Sequence, residues 1–345
     1  FFICGNCGGG IYNENSSPTL SNLNIIGNSA IDGGGIYNNN SSPTLTSVSI
    51  SGNNAGDGGG IYNKSSSTHT LNSVSINGNN AGNGGGIYNT SYSSPTLLNC
   101  LLRGNYGSRA AAVFNDSNSQ TKLVNCTVVA NTATQSLFYN SNIATQISNS
   151  IIFSNTAPQL FNWGADVGSN NNLLQGSNST ANGNMDATNI TAEDIFTDPA
   201  NGNYNLKAGS VAINNGDNSL NTSTNDLTGN PRVQKSTIDL GAYESAHDTP
   251  PAIHGGSIVY VKKGAMGKGN SWTSPIGELA DALKAAKTLN DNSPGTVKQI
   301  WVAKGTYKPM YRPDNLSGAN PNDRDNAFLM LDNVKLYGGF AGTET

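Results

Sequence analysis

The chain has 345 residues, a length that predicts either two domains or one long repetitive domain. Charged residues make up only 12% and the net charge is −4, while 53 asparagines supply much of the polar share. Disordered chains combine low hydrophobicity with high net charge, so this composition argues against disorder. The 18 basic residues are scattered, which excludes nucleic acid as an expected partner, and no apolar run approaches the ~20 residues of a membrane span.

The first motif along the chain is a C-x-x-C pair formed by Cys4 and Cys7. A structural zinc site needs four ligands, and neither a second C-x-x-C nor a pair of histidines is present to supply the other two. We therefore expect a disulfide or two unreactive thiols here, and no metal or other cofactor for the chain.

A repeat with a step of 25 or 26 residues dominates the first half of the chain. The string G-G-G-I-Y-N occurs four times between residues 8 and 89, and weaker copies stand at 110–115 and 135–140. Two ladders of similar residues follow this period. They are the asparagine ladder Asn28, Asn53, Asn79, Asn105, Asn131 and Asn155, and the tyrosine ladder Tyr12, Tyr37, Tyr62, Tyr88, Phe114 and Tyr139.

This period and the pattern inside it predict an all-β solenoid. A fixed period of roughly 20 to 50 residues is the signature of a solenoid, and hydrophobic residues here alternate as in strands. We predict a parallel β-helix with about 25 residues per coil, in which equivalent side chains stack along the axis. The stacked asparagines would bond between coils and accept left-handed backbone at the turns. The predicted core contains Val48, Ile50, Val74, Ile76, Leu102 and Val128.

The repeated strings resemble those of polymorphic outer-membrane proteins and related secreted β-helix proteins. In that family a G-G-A-aliphatic string pairs with an F-x-x-N string, and here I-x-G-N follows G-G-G-I-Y-N about 15 residues later. The resemblance covers about residues 5–165. It implies a right-handed parallel β-helix and an extracellular or cell-surface location, and it implies no particular activity.

The ladders fade after the sixth coil, and a different pattern closes the first unit. The strings D-I-F-T-D-P-A-N-G-N-Y-N-L at 194–206, D-L-T-G-N-P-R at 226–232 and D-L-G-A-Y-E at 239–244 resemble the closing segment of bacterial surface β-helix domains. We therefore predict one β-helix domain over residues 1–245. The stretch 246–256, with paired prolines and paired glycines, is typical of an interdomain linker.

Residues 257–345 are predicted to begin a second β-helix. The string I-V-Y-V at 258–261 indicates a strand, and Ser274 with Pro275 forms an N-cap and first-turn pair for an amphipathic helix over 275–288. Such a helix would cap the open edge of the second unit. Because the end of one unit precedes the start of another, we expect head-to-tail contacts with other copies or tandem repeats, which propagate as a filament unless they close.

Few residues carry candidate chemistry. Asp32 and Asp57 stand at the same place in consecutive coils and should stack as a carboxylate pair, although Asp before Gly is also ordinary turn chemistry. Cys100 and Cys126 lie one coil apart on the inward face, either as buried thiols or as a disulfide. Calcium is a further candidate, with solvated loop acids as the alternative. The acids concerned are Asp186, Glu193, Asp194 and Asp198.

The tyrosine ladder has two interpretations. Each tyrosine follows an isoleucine, and neighbours in a strand face opposite sides, so one of the two ladders must lie outside the core. An outward ladder would form an aromatic strip for sugars, whereas an inward or shielded ladder would stack as part of the core. We expect the inward or shielded arrangement.

These observations favour a non-enzymatic extracellular structural module, a stiff β-helical spacer or fibre subunit of a surface protein, with adhesion as a further role. A polysaccharide lyase or hydrolase is the alternative from another class, and a glycan-binding β-helix is the third. The first 160 residues contain only four acids, which is poor equipment for acid–base catalysis. They are Glu14, Asp32, Asp57 and Asp116.

Overall fold

A parallel β-helix forms the first half of the protein, as the repeat predicts. In the computed structural model it has about 6 coils, and equivalent residues of successive coils pair in parallel, for example Ile11 with Ile36 and Ile61 with Ile87. The predicted linker 246–256 lies outside the described residues. The structure describes residues 7–161, 169–176, 181–188, 190–207, 210–234, 237–245, 257–265, 269–292, 294–313 and 324–344.

Four sheets run along the axis, each with at most one short strand per coil. The tyrosine sheet contains Ile11–Glu14, Ile36–Asn39, Ile61–Lys64, Ile87–Asn89, Ala110–Asn115, Ser136–Asn140 and Gln159–Phe161. The threonine sheet contains Thr19–Ser21, Thr44–Thr46, Thr70–Asn72, Thr96–Leu98, Lys122–Val124 and Gln146–Ser148. The long sheet contains Asn24–Ile26, Ser49–Ser51, Ser75–Asn77, Leu101–Arg103, Thr127–Val129, Ile151–Phe153, Leu173–Leu174 and Met185–Asp186. The short sheet contains Asn54–Asp57, Asn80–Asn83, Tyr106–Gly107 and Thr132–Ala133.

The interior of the coils is a stack of aliphatic side chains. Inward residues of the threonine sheet, such as Leu45, Leu71 and Leu97, are fully buried and lie directly above one another. Because each layer repeats the shape of the next, side chains of one size pack without gaps along the axis. The six predicted core residues from Val48 to Val128 are at most 2% exposed, which confirms that prediction.

The glycine triplets allow neighbouring coils to approach closely at one corner. A Cβ atom added to Gly34 would lie 2.6 Å from the carbonyl oxygen of Gly59 and 2.7 Å from that of Asn54. Any side chain at this position would therefore push the coils apart. Gly33 in addition has a φ of +68°, a left-handed conformation that glycine adopts without steric cost.

The asparagine ladder holds another corner through buried amide bonds. From Asn28 to Asn155 each Nδ2 donates to the Oδ1 of the next coil's asparagine at 2.9–3.0 Å. That oxygen also accepts a backbone N–H, as Asn79 Oδ1 does from Asn53. Our expectation of left-handed backbone at these asparagines is wrong, because glycine precedes most of them and takes that conformation more easily. The left-handed residues are Gly27, Gly52, Gly78, Gly104, Ala130 and Ser154.

His69 is an exception in the regular stack of the third coil. It stands where the neighbouring coils have Pro43 and Pro95, and it is only 4% exposed. Neither ring nitrogen has a hydrogen-bond partner of good geometry in the described part of the chain. Burial lowers the pKa of His69 to about 4, and the backbone of Ser67 offsets part of that shift. The folded protein therefore holds a neutral imidazole well below neutral pH.

Replacing His69 by proline is expected to stabilise the protein, and more so in acid. Proline fits the same position in both adjacent coils, and it restricts the unfolded chain. As the pH falls below about 6.5, unfolded histidine takes up a proton that the folded protein accepts only near pH 4, so the native chain loses stability. Denaturant unfolding should show the advantage of His69→Pro growing by about 2 kcal/mol between pH 7 and pH 5.

The control for this prediction is Thr70→Ser, a change at the exposed neighbouring residue that introduces and removes no titratable group. Its pH dependence should follow that of the native chain. A His69→Pro variant with an unchanged pH dependence would show that the imidazole is solvated rather than buried.

Residues 190–245 form the closing segment, whose described part folds back along the outside of the long sheet. Its apolar side chains cover Leu101, Val129, Ile151 and Phe153, which point outward from that sheet. In the second and third coils the outward positions are polar, at Ser49, Ser51, Ser75 and Asn77. The closing segment contains the helix Ala192–Ile195, the 3₁₀ turns Pro199–Asn201 and Asn218–Leu220, and the antiparallel strands Phe196–Asp198 and Asn203–Leu206.

Hydrogen bonds place the closing segment coil by coil. The partners descend from the sixth coil to the third as the segment proceeds. The bonds are Asn149 Nδ2 to the Asp217 carbonyl (2.9 Å), Asn125 Nδ2 to Asn221 Oδ1 (2.9 Å), Asn99 Nδ2 to the Asn225 carbonyl (3.0 Å) and Ser73 Oγ to the Asp226 carbonyl (3.5 Å).

Arg232 is the buried centre of the closing segment. Its Nη2 donates to the carbonyl oxygens of Asp239 and Gly241 at 2.6 and 2.7 Å, and its Nε lies 3.6 Å from Glu244 Oε2. The Asp226 carboxylate accepts the backbone N–H of Glu244 at 2.9 Å. Burial raises the pKa of Asp239 and of Glu244 and lowers that of Arg232, while the opposite charges counter each shift. One cation thus compensates three buried carboxyl groups.

The last unit combines a three-stranded parallel sheet with one long helix. Its strands are Ile258–Val261, Gln299–Ala303 and Lys335–Phe340, and its helix is Leu279–Asn292. The predicted helix start at Ser274 and Pro275 is wrong, because the backbone of Ile276 pairs with the first strand. Its N–H donates to Tyr260 at 2.8 Å and its carbonyl accepts from Lys262 at 2.9 Å.

Candidate functional site

The tyrosine ladder and the residues beside it form the candidate site on the outer face of the tyrosine sheet. Neighbouring rings lie 4.2–5.2 Å apart between centroids, with interplanar angles of 2–14°. The parallel register imposes this spacing, since each ring is attached directly above the previous one. The stacked rings are Tyr12, Tyr37, Tyr62, Tyr88, Phe114 and Tyr139.

Both rows of the G-G-G-I-Y-N string are buried. The isoleucines point into the core, and Tyr37, Tyr62 and Tyr88 on the opposite face are only 5–8% exposed because the rings cover one another. Burial raises the pKa of Tyr37 to about 12, with the charges of Tyr12 and Asp32 adding to the shift. Burial also raises the pKa of Tyr62 and Tyr88. These hydroxyls therefore stay protonated near neutral pH and cannot serve as bases.

The stacked rings leave little open ring face for a ligand. A sugar ring packs on the flat face of an aromatic side chain, and within the column each face is taken by the next ring. At one end, Tyr12 is 39% exposed and its hydroxyl donates to Glu14 Oε2 at 2.9 Å. At the other end, the guanidinium of Arg109 lies 4.8 Å from the Phe114 ring and 4.6 Å from the Tyr139 ring. The geometry favours a structural column.

Asp32 and Asp57 pair in parallel as residues of adjacent coils and belong to a mixed polar row. Burial raises the pKa of both carboxyl groups, and the charge of Asp57 raises that of Asp32 further. Asn83, one coil on, donates to Asp57 Oδ1 at 2.7 Å and lowers the pKa of Asp57, as does the charge of Arg109. The two acids are therefore compensated along the stack, which is the arrangement of a structural row.

The four acids considered for calcium serve local turns. The carboxylate of Asp186 accepts bonds from Thr188, and that of Asp194 accepts bonds from Thr191. These bonds lower the pKa of Asp186 and Asp194. Within the described ranges, no group of three or more His, Cys, Asp or Glu side chains is placed to hold a metal ion.

The cysteines divide into two kinds. Cys100 and Cys126 carry free, fully buried thiols, and each Sγ donates to a nearby carbonyl oxygen at 3.3 Å. Burial raises the pKa of the Cys100 thiol, so it stays protonated and unreactive. Cys7 is disulfide-bonded, and Cys4 lies outside the described residues.

Sequence reasoning missed two features of the outer surface. One is Arg109, which covers the end of the aromatic column, and its signal was a cation in the position that Asp32 and Asp57 hold in earlier coils. The other is the interface under the closing segment. Its signal was the change of outward residues from serine in S-I-S to leucine and isoleucine in L-L-R and I-I-F.

The fold and its ladders define the class: a parallel β-helix protein with a laterally packed closing segment. No family model matches the chain, and neither a curated protein nor a solved structure is significantly similar to it. In the part of the chain that the structure describes, no helix is both long and apolar enough to cross a membrane.

Proposed function

We propose that the chain is a non-enzymatic structural module, a stiff β-helical spacer or fibre subunit of an extracellular or cell-surface protein. The observation that carries this proposal is the asparagine ladder, which joins each coil from Asn28 to Asn155 to the next by side-chain hydrogen bonds. Bending the helix would lengthen these bonds on one side, where water cannot replace them. Bending therefore costs more than in a stack joined by backbone pairing alone.

Two observations support the extracellular location. Cys7 is disulfide-bonded, and disulfides persist in oxidising compartments such as the cell surface. The G-G-G-I-Y-N and I-x-G-N strings also resemble the repeats of polymorphic outer-membrane proteins, in which a right-handed helix is expected.

The proposed partner is another copy or a tandem repeat of the same protein, joined head to tail. In the described sheet of the last unit, Lys335–Phe340 is an edge strand, and Leu336 and Tyr337 on it are 38% and 42% exposed. These two residues continue an aliphatic and an aromatic row of that sheet. A further strand with the same order, such as one with Ile11 and Tyr12, would extend both rows.

Distance measurement between two spin labels tests the stiffness. Thr19→Cys and Gln146→Cys place labels on exposed residues of one column, five coils apart, or about 24 Å between backbones. Cys100→Ser and Cys126→Ser remove the free thiols, and Ser150 shows that serine fits this row. We expect one narrow distance distribution. A broad distribution would contradict a stiff spacer.

The alternatives and the proposed partner need separate measurements. Cleavage of an acidic polysaccharide that is lost in Asp32→Asn/Asp57→Asn would favour the hydrolase, and Asn83 shows that asparagine fits this row. Sedimentation velocity tests the head-to-tail contact, which predicts growth with concentration that Leu336→Asp abolishes. A native chain that stays monomeric at all concentrations would overturn the contact and leave the spacer proposal standing.

A further inference from the structure

The outer face of the threonine sheet carries a grid of short, uncharged side chains over the first four coils. Three outward residues per coil come from S-P-T-L-S and its variants, and all are exposed or half-buried. The inward leucines between them are fully buried in the second to fourth coils. The grid consists of Ser17, Thr19 and Ser21, then Ser42, Thr44 and Thr46, then Thr68, Thr70 and Asn72, then Ser94, Thr96 and Leu98.

The register of the sheet aligns the grid in straight columns. Thr19 pairs with Thr44, Ser21 with Thr46, and the same columns continue through the third and fourth coils. Neighbours in a column are therefore about 4.8 Å apart, and neighbours in a row, two residues apart along a strand, are about 6.6 Å apart. The hydroxyl groups form a two-dimensional lattice.

Backbone contacts hold part of this lattice in place. The N–H of Ser42 donates to Ser17 Oγ at 2.9 Å, and the N–H of Thr68 donates to Ser42 Oγ at 2.9 Å. These hydroxyls keep one orientation without a ligand, so a ligand that matches them loses little conformational freedom on binding. The first charged side chain in the columns is Lys122, in the fifth coil.

We propose that this grid binds the surface of ice. Water oxygens in ice repeat in two directions at separations close to those of the grid, so ordered water can bridge many hydroxyls at once. Each bridge is weak, and the regular array adds them up. Threonine supplies a methyl group beside each hydroxyl, which shields the ordered water from exchange. A charged side chain would impose its own hydration shell, and none interrupts the four coils.

The composition of the grid argues against a protein partner on this face. Protein interfaces are centred on a few large anchors, mainly tryptophan, tyrosine and arginine. The grid has none of these, and its largest side chain is Leu98. The inference does not rest on the spacer proposal, since a stiff spacer needs no lattice on its outer surface.

Freezing hysteresis and ice-crystal shape test the proposal with the intact chain. We expect the native protein to shape ice crystals and to hold their growth below the melting point. Thr44→Tyr/Thr70→Tyr places two bulky rings in the centre of the grid and should abolish nearly all of this hysteresis. The matched control is Asn54→Tyr/Asn80→Tyr, at exposed residues that pair in the same way on the short sheet. It should keep the hysteresis.

Three outcomes would overturn the ice-binding site: a native chain without hysteresis, equal loss in both tyrosine variants, or full activity in the Thr44 and Thr70 variant. Circular dichroism establishes that each variant is folded. If the tyrosine variant of the grid does not fold, Thr44→Ser/Thr70→Ser decides, because serine is already common in the grid. It keeps the hydroxyls and removes two methyl groups. Reduced hysteresis supports the proposal, and unchanged hysteresis overturns it.

Discussion

Replacing Asn79 by alanine is expected to lower the free energy of unfolding by about 3–5 kcal/mol, since several buried groups lose their only good partner. The Asn53 backbone N–H and Nδ2 both donate to Asn79 Oδ1 at 2.9–3.0 Å. Asn79 Nδ2 in turn donates to the Ile50 carbonyl and to Asn105 Oδ1, both at 3.0 Å. Asn79 is 1% exposed, so water cannot replace these bonds. Denaturant unfolding measures the change.

The matched control is Asn80→Ala, one residue away. The Asn80 side chain is exposed and donates one bond, to Asn54 Oδ1, which water can replace. We expect a loss below about 0.5 kcal/mol, as for other surface substitutions. Equal losses in the two variants would mean that the asparagine ladder adds nothing beyond a surface amide.

Replacing Arg232 by methionine is expected to cost about 3–5 kcal/mol, because it leaves buried carboxylates without their cation. The side chains of Arg232 and Glu244 are 0% and 2% exposed, so solvent does not take over the charge. The effect should be local to the closing segment, since coupling between distant parts of a solenoid is weak. Hydrogen exchange should show residues 210–245 opening at a lower free energy than the coils.

The pH dependence distinguishes charge from lost packing in this variant. Burial raises the pKa of Asp239 and Glu244 in the native protein, and removal of the cation raises both further. As the pH falls from 8 to 5 these groups take up protons in the folded variant, so its deficit should shrink. A deficit independent of pH would mean lost packing alone. The exposed Arg324, changed to methionine, is the control and should have little effect.

The coils were predictable because one period governs sequence and structure alike. A row such as Val48, Val74 and Cys100 recurs at the coil spacing, so alternation within one coil determines burial in all of them. The closing segment has no period, and nothing in its strings states which outer face it covers. Leu101 and Ile151 did carry a local signal, since apolar residues at outward positions require a cover.

Two other features show where local patterns are insufficient. Ser274 and Pro275 have the residue types of a helix start, but a long-range pairing of Ile276 with the first strand delays the helix to Leu279. The tyrosine ladder could not be placed because alternation demands one outward row and both rows are apolar. The structure buries both, since stacked rings cover each other, and that depends on the register between coils.

The contacts of the closing segment also act as a ruler for the number of coils. A stack of nearly identical coils contains no internal mark of its own length, and slippage by one whole coil would match asparagine with asparagine and tyrosine with tyrosine. The four partners Asn149, Asn125, Asn99 and Ser73 meet unlike residues of a segment that does not repeat, so only one alignment satisfies them all. That ruler reaches the third coil and no further. Length can therefore be added or removed, one coil at a time, before Gly52 without disturbing any of these contacts.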